Sequence, residues 1–230
     1  MLTRIINAIY PPTCTLCGSH SQISRDLCVA CEGDFTPNLT ACVRCALPLP
    51  FDLHGAVCGE CLRSPPHQQT AWSAFVYAQP LEWMIQQLKF NDKMAYGRLL
   101  GQLAIPLLPR LDTPPDCIIP VPLHPKRFQQ RGYNQAYELV KPLARQLNIR
   151  IDTQSCRREK YTSAQSDLDA KQRRQNIRNA FQFENTHAYD HVIVFDDVIT
   201  TGSTIAELVK VIKQQGVQRV DVWSLARVGK

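Results

Sequence analysis

The chain has 230 residues, a formal net charge of +6 and a hydrophobic share of 44%, a composition that supports packed cores and argues against wholesale disorder. Its length suits one large domain or two modest ones, and no apolar run approaches the roughly 18 residues of a membrane helix, so membrane insertion is not expected. The positive balance favours acidic partners such as nucleic acid or phosphorylated metabolites.

The first residues, Met1 to Tyr10, lack the continuous apolar region and small-residue cleavage site of a secretory signal, so a cytoplasmic location is expected. Four CxxC pairs follow: Cys14/Cys17, Cys28/Cys31, Cys42/Cys45 and Cys58/Cys61. Two thiolates two residues apart turn a knuckle around a tetrahedral cation, and two knuckles complete a four-cysteine zinc site. Eight ligands therefore predict two zinc ions. A disulfide framework would suit an exported chain, and a redox CxxC would sit beside a βαβ pattern that this segment lacks. Sequential pairing, Cys14/Cys17/Cys28/Cys31 on one ion and Cys42/Cys45/Cys58/Cys61 on the other, closes shorter loops than interleaved pairing. With sulfur at all four positions no ligand site stays open to water, so both ions are expected to be structural.

The proline pair in Arg63-Ser-Pro-Pro-His67 disfavours helix and sheet, which divides the chain into a cysteine-rich segment, 1–66, and a second segment, 67–230. The second opens on the apolar Ala71–Tyr77. Cys117 and Cys156 stand alone in it and read as small buried hydrophobes. From Pro120 to Arg178 there are 13 Lys or Arg against 5 Asp or Glu, so this stretch exceeds the charge of the whole chain.

Val192 to Phe195 is a β-branched and aromatic run typical of a buried parallel strand. Asp196 and Asp197 stand at its C-terminal end, where ligands bind in open α/β sheets. The loop Thr200, Thr201, Gly202, Ser203, Thr204 opens into a helical pattern from Ala206 to Gln215 that stops at Gly216. Its backbone N–H groups, its hydroxyls and the helix N-terminus can converge on a phosphate. The two carboxylates can accept hydrogen bonds from a vicinal diol, and the set suits a ribose 5-phosphate. The competing reading is a capping box at Thr204–Glu207, which leaves the two aspartates unexplained.

The thirteen residues Val192 to Thr204 resemble the phosphoribosyl pyrophosphate signature of type I phosphoribosyltransferases. A longer likeness covers Ile119-Pro-Val-Pro-Leu-His-Pro125, Arg131-Gly-Tyr-Asn-Gln135 and Arg174-Gln-Asn-Ile-Arg-Asn-Ala-Phe181. Together with the CxxC pairs, these segments resemble the ComF/GntX family over nearly the whole chain. That resemblance implies a double zinc ribbon followed by an α/β, phosphoribosyltransferase-like parallel sheet with helices on both faces. It also implies that Asp196 and Asp197 contact the ribose hydroxyls, that Thr200 to Thr204 hold the 5-phosphate, and that the chain has a part in competence, the uptake or use of external DNA.

By the same resemblance the segment from Ile118 to His124 cradles the pyrophosphate, with Val121 and Pro122 in the loop. Arg127 and Arg131 follow, and their planar donor forks suit a diphosphate better than lysine does. Magnesium would accompany the phosphoribosyl pyrophosphate. The clusters Arg157-Arg-Glu-Lys160 and Lys171-Gln-Arg-Arg174 read equally as a flap over the ligand, a track for nucleic acid, or a solvated face. Tyr133, Tyr137 and Tyr161 are the stacking candidates for single-stranded DNA. Two expectations follow: a ligand-binding protein that supports DNA uptake beside DNA-uptake proteins, or an active phosphoribosyltransferase acting on a nucleobase, for which no general base is evident.

Overall fold

A computed structural model describes residues 13–21, 26–50, 55–161 and 177–229. In the cysteine-rich segment, two antiparallel bridges, Thr13 with His20 and Ala41 with Pro48, close two similar knuckles. A one-turn helix follows each: α1 (Val29–Gly33) and α2 (Gly59–Arg63), with Cys28 and Cys58 as N-caps.

The second segment alternates strands and helices, as the buried apolar runs require. In chain order it comprises β1 (Ala71–Val76), α3 (Leu81–Phe90), α4 (Met94–Ala104), a single 3₁₀ turn (Ile105–Leu107), β2 (Cys117–Pro120), α5 (Pro125–Arg131) and α6 (Gln135–Leu147), then β3 (Cys156–Arg158), β4 (Phe181–Phe183), β5 (His191–Ile199), α7 (Ser203–Gln214) and β6 (Arg219–Arg227). Four strands form one parallel sheet in the order β1-β6-β5-β2, and β3 pairs antiparallel with β4 beside it.

Both faces of the sheet are covered. Ile193 and Phe195 of β5 pack with Leu88, Leu100 and Leu139 from α3, α4 and α6, whereas Val192 and Val194 pack with Leu208, Val209 and Ile212 of α7. The period-two alternation of β5 thus feeds two cores, each large side chain contributing about 1.5–3 kcal/mol on burial. Helices α4 and α6 approach closely because Gly101 has no Cβ; one built there would lie 2.4 Å from the Leu139 carbonyl oxygen.

The sequence predicts a strand over Val192–Phe195, but β5 runs on to Ile199. Pairing of Asp196 with Ser224 and of Val198 with Ala226 of β6 carries it past the acids, since ladder hydrogen bonds do not require apolar side chains. Likewise α7 begins at Ser203, ahead of the expected Ala206, because Gly202 takes φ 76° and turns the chain into the helix at once.

The ribbon covers the β1 edge of the sheet. Asn38 N–H donates to the Ala74 carbonyl and Val76 N–H to the Thr36 carbonyl, both at 2.9 Å. An edge otherwise open to strand pairing is thereby satisfied. Leu27, Phe35 and Cys14 join the core of the sheet beside Phe75.

Candidate functional site

The eight ribbon cysteines gather as the sequential pairing predicts: Cys14, Cys17, Cys28 and Cys31 in one group, Cys42, Cys45, Cys58 and Cys61 in the other, the sulfurs of each lying within 4.8 Å of one another. Cys17 and Cys28 are 3.7 Å apart at sulfur, as are Cys45 and Cys58. Four sulfurs placed tetrahedrally about 2.3 Å from a zinc ion are separated by nearly that distance. All ten cysteines are free of disulfides. The knuckle turns are alike, since the residue after the second cysteine takes a positive φ in both, Gly18 at 72° and Ala46 at 55°. Its N–H returns to the first cysteine's carbonyl at 2.8 Å. The donor set is all thiolate and fits a closed, structural zinc site.

Asp196 and Asp197 stand at the C-terminal end of β5, and they are not equivalent. Asp197 is buried, and its Oδ2 forms an ion pair with Lys89 Nζ at 2.7 Å. Burial opposes its ionisation, but Lys89 and the Val198 N–H, which donates to Oδ1 at 2.7 Å, hold its carboxyl below the usual carboxylate range. Asp196 is half-buried, with Oδ1 accepting from the Asp197 N–H at 2.9 Å. Burial, and then the adjacent Asp197 charge, push its carboxyl up to about 8 against the pull of Lys89. Near neutral pH the pair therefore carries one charge, balanced by Lys89, and Asp196 retains a proton.

The Thr200–Thr204 loop passes from β5 into α7. Thr200 and Thr201 are exposed, and Thr201 Oγ1 lies 2.9 Å from Ser203 Oγ. Gly202 occupies the N-cap of α7 and offers no capping side chain, which leaves first-turn N–H groups for an anion. The capping box does not form: the helix begins ahead of Thr204, and Glu207 Oε1 accepts from the Asn179 N–H at 2.8 Å instead. Behind the loop, buried Arg227 donates to the carbonyls of Ile199, Thr200 and Val228 and, through Nε, to the carbonyl of Cys45 at 3.0 Å.

The anticipated pyrophosphate loop follows β2. Val121 is buried, its N–H donating to the Phe195 carbonyl at 2.8 Å and its own carbonyl accepting from Asn134 Nδ2 at 3.0 Å. Half-buried Arg127 and Arg131 come from α5. Burial lowers the pKa of Arg131 while the Asp197 charge opposes that shift, and it stacks on the Phe90 ring at 5.8 Å. Arg158 of β3 is lowered by burial, then by Arg127, against the attraction of Asp196. Arg131 and Arg158 thus feel the charge of the aspartate pair, and Arg127 lies close enough to act on both.

A cavity of about 650 Å³ adjoins this cluster, lined by Pro122, His124, Phe128, Tyr133, Tyr137 and Arg158 among others. Neither the aspartate pair nor the Thr200–Thr204 loop is among its walls. Of the stacking candidates, Tyr133 is buried with its hydroxyl donating to the Leu88 carbonyl. Tyr161 is exposed, 5.1 Å from His124 in an edge-on ring contact and within 5.8 Å of Lys126 Nζ. Lys171, Arg173 and Arg174 lie outside the described residues, as does the Met1–Tyr10 segment.

Lys89 and Arg227 escape sequence reading. Lys89 closes an ordinary amphipathic helix and Arg227 ends an apolar strand, and neither position carries a local motif. Arg158 falls in a basic cluster whose three readings the sequence leaves level.

A double zinc ribbon set against a parallel, phosphoribosyltransferase-like α/β sheet is the class of protein that these features define. A family model for the double zinc ribbon domain matches residues 5–62. The chain is 36% identical over 224 residues to the DNA utilization protein YhgH of Escherichia coli O157:H7, covering 94% of this chain and 97% of that protein. It is 35% identical, with the same coverage, to the protein of that name from Salmonella typhimurium. To competence protein F of Haemophilus influenzae it is 36% identical over 227 residues, 93% of this chain and 96% of the relative. The chain belongs to the ComF/GntX family. Among the described residues no helix is long and apolar enough to cross a membrane.

Proposed function

We propose that the chain binds phosphoribosyl pyrophosphate, or a related sugar phosphate, as its magnesium complex at the C-terminal end of β5, and that it serves DNA uptake or the use of external DNA. In this reading residues 1–66 are the structural ribbon and residues 67–230 the ligand-binding domain, working in the cytoplasm, where thiols stay reduced. The carrying observation is the juxtaposition of Asp196 and Asp197 with a glycine turn that opens the N-terminus of α7. The acids would take the ribose hydroxyls, and Thr200, Thr201, Gly202, Ser203 and Thr204 the 5-phosphate. Val121 and Pro122 would shape the diphosphate seat, with Arg127 and Arg131 neutralising it. The names of the relatives, DNA utilization and competence, support the cellular role.

The test is calorimetric titration of the zinc-loaded protein with phosphoribosyl pyrophosphate and magnesium. Saturable heat that Asp196→Asn and Asp197→Asn each abolish supports the reading; equal heats in all three proteins reject it.

A second reading, transfer of the phosphoribosyl group to a base, draws on Arg131 and Arg158 near the acids and on the neighbouring Arg127, which could stabilise a departing diphosphate. Release of diphosphate across a panel of bases would establish it. Contact with single-stranded DNA draws on His124, Lys126 and Tyr161, which set a ring and a cation on one exposed face. Affinity that falls steeply with salt would support it, and a flat response would discard it.

A further inference from the structure

We propose that Arg227 is a positioning residue that couples the second cysteine cluster to the Thr200–Thr204 loop, so that zinc at Cys42, Cys45, Cys58 and Cys61 sets the readiness of the loop for an anion. The proposal rests on the reading of that loop as the phosphate seat.

Arg227 is 8% exposed at the end of β6, where an isolated cation would be costly without partners. Besides the carbonyl of adjacent Val228, its partners are backbone carbonyls at two distant places in the chain. Nε donates to the Cys45 carbonyl at 3.0 Å, spanning 182 residues of sequence. Nη1 donates to the Ile199 carbonyl at 3.0 Å and to the Thr200 carbonyl. A guanidinium is a rigid plane, so these contacts cannot shift independently.

The geometry of the peptide unit turns this clamp into a device. In a trans peptide the carbonyl and the next N–H point in opposite directions. Drawing the Ile199 and Thr200 carbonyls back toward Arg227 therefore directs the N–H groups of Thr200 and Thr201 to the other side of the loop. The buried positive charge also polarises those two peptides, strengthening the outward N–H groups as donors.

The other end of the clamp lies in the knuckle itself. The Cys45 carbonyl belongs to the residue whose thiolate would bind zinc, just before Ala46 at φ 55°. A four-sulfur ion holds such a turn, and its loss frees the turn to rotate and withdraw the carbonyl from Nε. The first cluster has a different attachment: Cys14, Leu27 and Phe35 pack into the apolar core beside Phe75.

The test uses full-length protein. Wild type, Arg227→Gln, Cys61→Ser and the double variant are compared by amide hydrogen exchange at residues 199–204 without ligand, zinc per chain being counted in each. Arg227→Gln is expected to keep two zinc ions and to exchange about tenfold faster in the loop while the cores of the sheet keep their protection. Cys61→Ser is expected to lose one ion with a similar local effect, and the double variant to add little to either. Arg227→Lys, which keeps the charge but not the fork, is expected to restore the loop only in part. Loop exchange in Arg227→Gln equal to wild type would overturn the proposal, as would additive losses in the double variant. Should Cys61→Ser fail to fold, wild type and Arg227→Gln are compared before and after partial chelation to one zinc ion per chain, and a loop that exchanges alike in wild type with one ion and with two would overturn the coupling. A wild-type protein with a zinc-dependent loop but no heat on titration with phosphoribosyl pyrophosphate and magnesium would sink the phosphate-seat reading and leave the coupling standing.

Discussion

Lys89 at the end of α3 and Asp197 at the end of β5 form an ion pair of 2.7 Å whose carboxylate is almost wholly buried. The pair settles which aspartate is charged, because Lys89 meets Asp197 directly and leaves Asp196 to share a like charge. Replacing Lys89 by Met leaves a buried carboxylate without its cation, and the expected loss is about 2 kcal/mol at neutral pH, discounted from a fully buried pair because Lys89 is partly exposed. Relief comes from protonation, so the loss is expected to shrink at pH 5. Denaturant unfolding at the two pH values measures this, and an equal loss at both would show that Asp197 does not titrate in response.

Asp196 carries its own pH signature. Its carboxyl is raised to about 8 in the folded chain from 3.8, so between those values the native state holds a proton that the unfolded chain has released. Stability contributed by a raised acid is complete below the unfolded pKa and is lost as pH rises through the folded one. Stability is therefore expected to decline from about pH 4 to about pH 8 and to level off above. Asp196→Asn flattens that slope. In the proposed site the same proton would compete with the ribose hydroxyls for the carboxylate, so sugar-phosphate affinity is expected to rise with pH toward 8, with proton release visible as a dependence of binding heat on the buffer. Affinity that falls over this range would contradict the role given to Asp196.

Zinc is expected at two ions per chain, falling to one when either cluster loses a thiolate, as in Cys28→Ser or Cys58→Ser. Because Cys14 and Leu27 belong to the core under the sheet, complete chelation is expected to lower the melting temperature of the whole protein, and not only to release the ribbon. Metal analysis and a calorimetric scan with and without chelator check both parts. A metal content unaffected by either cysteine change would dismiss the four-sulfur assignment.

What could be read from the sequence was chemistry written in short spacings. The CxxC pairs announce zinc because two thiols on one turn have few other uses, and entropy alone favours the pairing seen. Asp196, Asp197 and Gly202 lie within one strand, turn and helix start, so their meeting needs no knowledge of the fold. Lys89, Arg158 and Arg227 reach the same region from separate elements; Arg227 bonds to residues 28 and 182 positions away. Their placement depends on sheet order and helix packing, which no local pattern encodes. The extra length of β5 was hidden for the opposite reason, since two carboxylates interrupt the apolar run while its backbone goes on pairing with β6.

Gly101 tests the packing of α4 against α6. Alanine is the better helix former by about 1 kcal/mol, yet a methyl group there would meet the Leu139 carbonyl at 2.4 Å and the Pro142 ring at 2.8 Å. Backbone is not easily displaced, so Gly101→Ala is expected to destabilise by about 1–3 kcal/mol despite its helix propensity. Chemical denaturation decides between the two effects by sign alone.

Gly202 presents the converse case, in which space is available and conformation is not. A Cβ there would come no closer than 3.9 Å to Ile199, so Gly202→Ala meets no clash. The residue nevertheless sits at φ 76°, where an L side chain costs about 1–2 kcal/mol. The variant is expected either to bear that strain, with a similar loss of stability, or to relax by rotating the turn. Rotation would redirect the N–H groups at the start of α7, so the loss is expected to appear as weaker sugar-phosphate binding with little change in unfolding. Measuring both quantities on one variant separates the outcomes, and an alanine protein unchanged in stability and in affinity would mean that no anion rests on this turn.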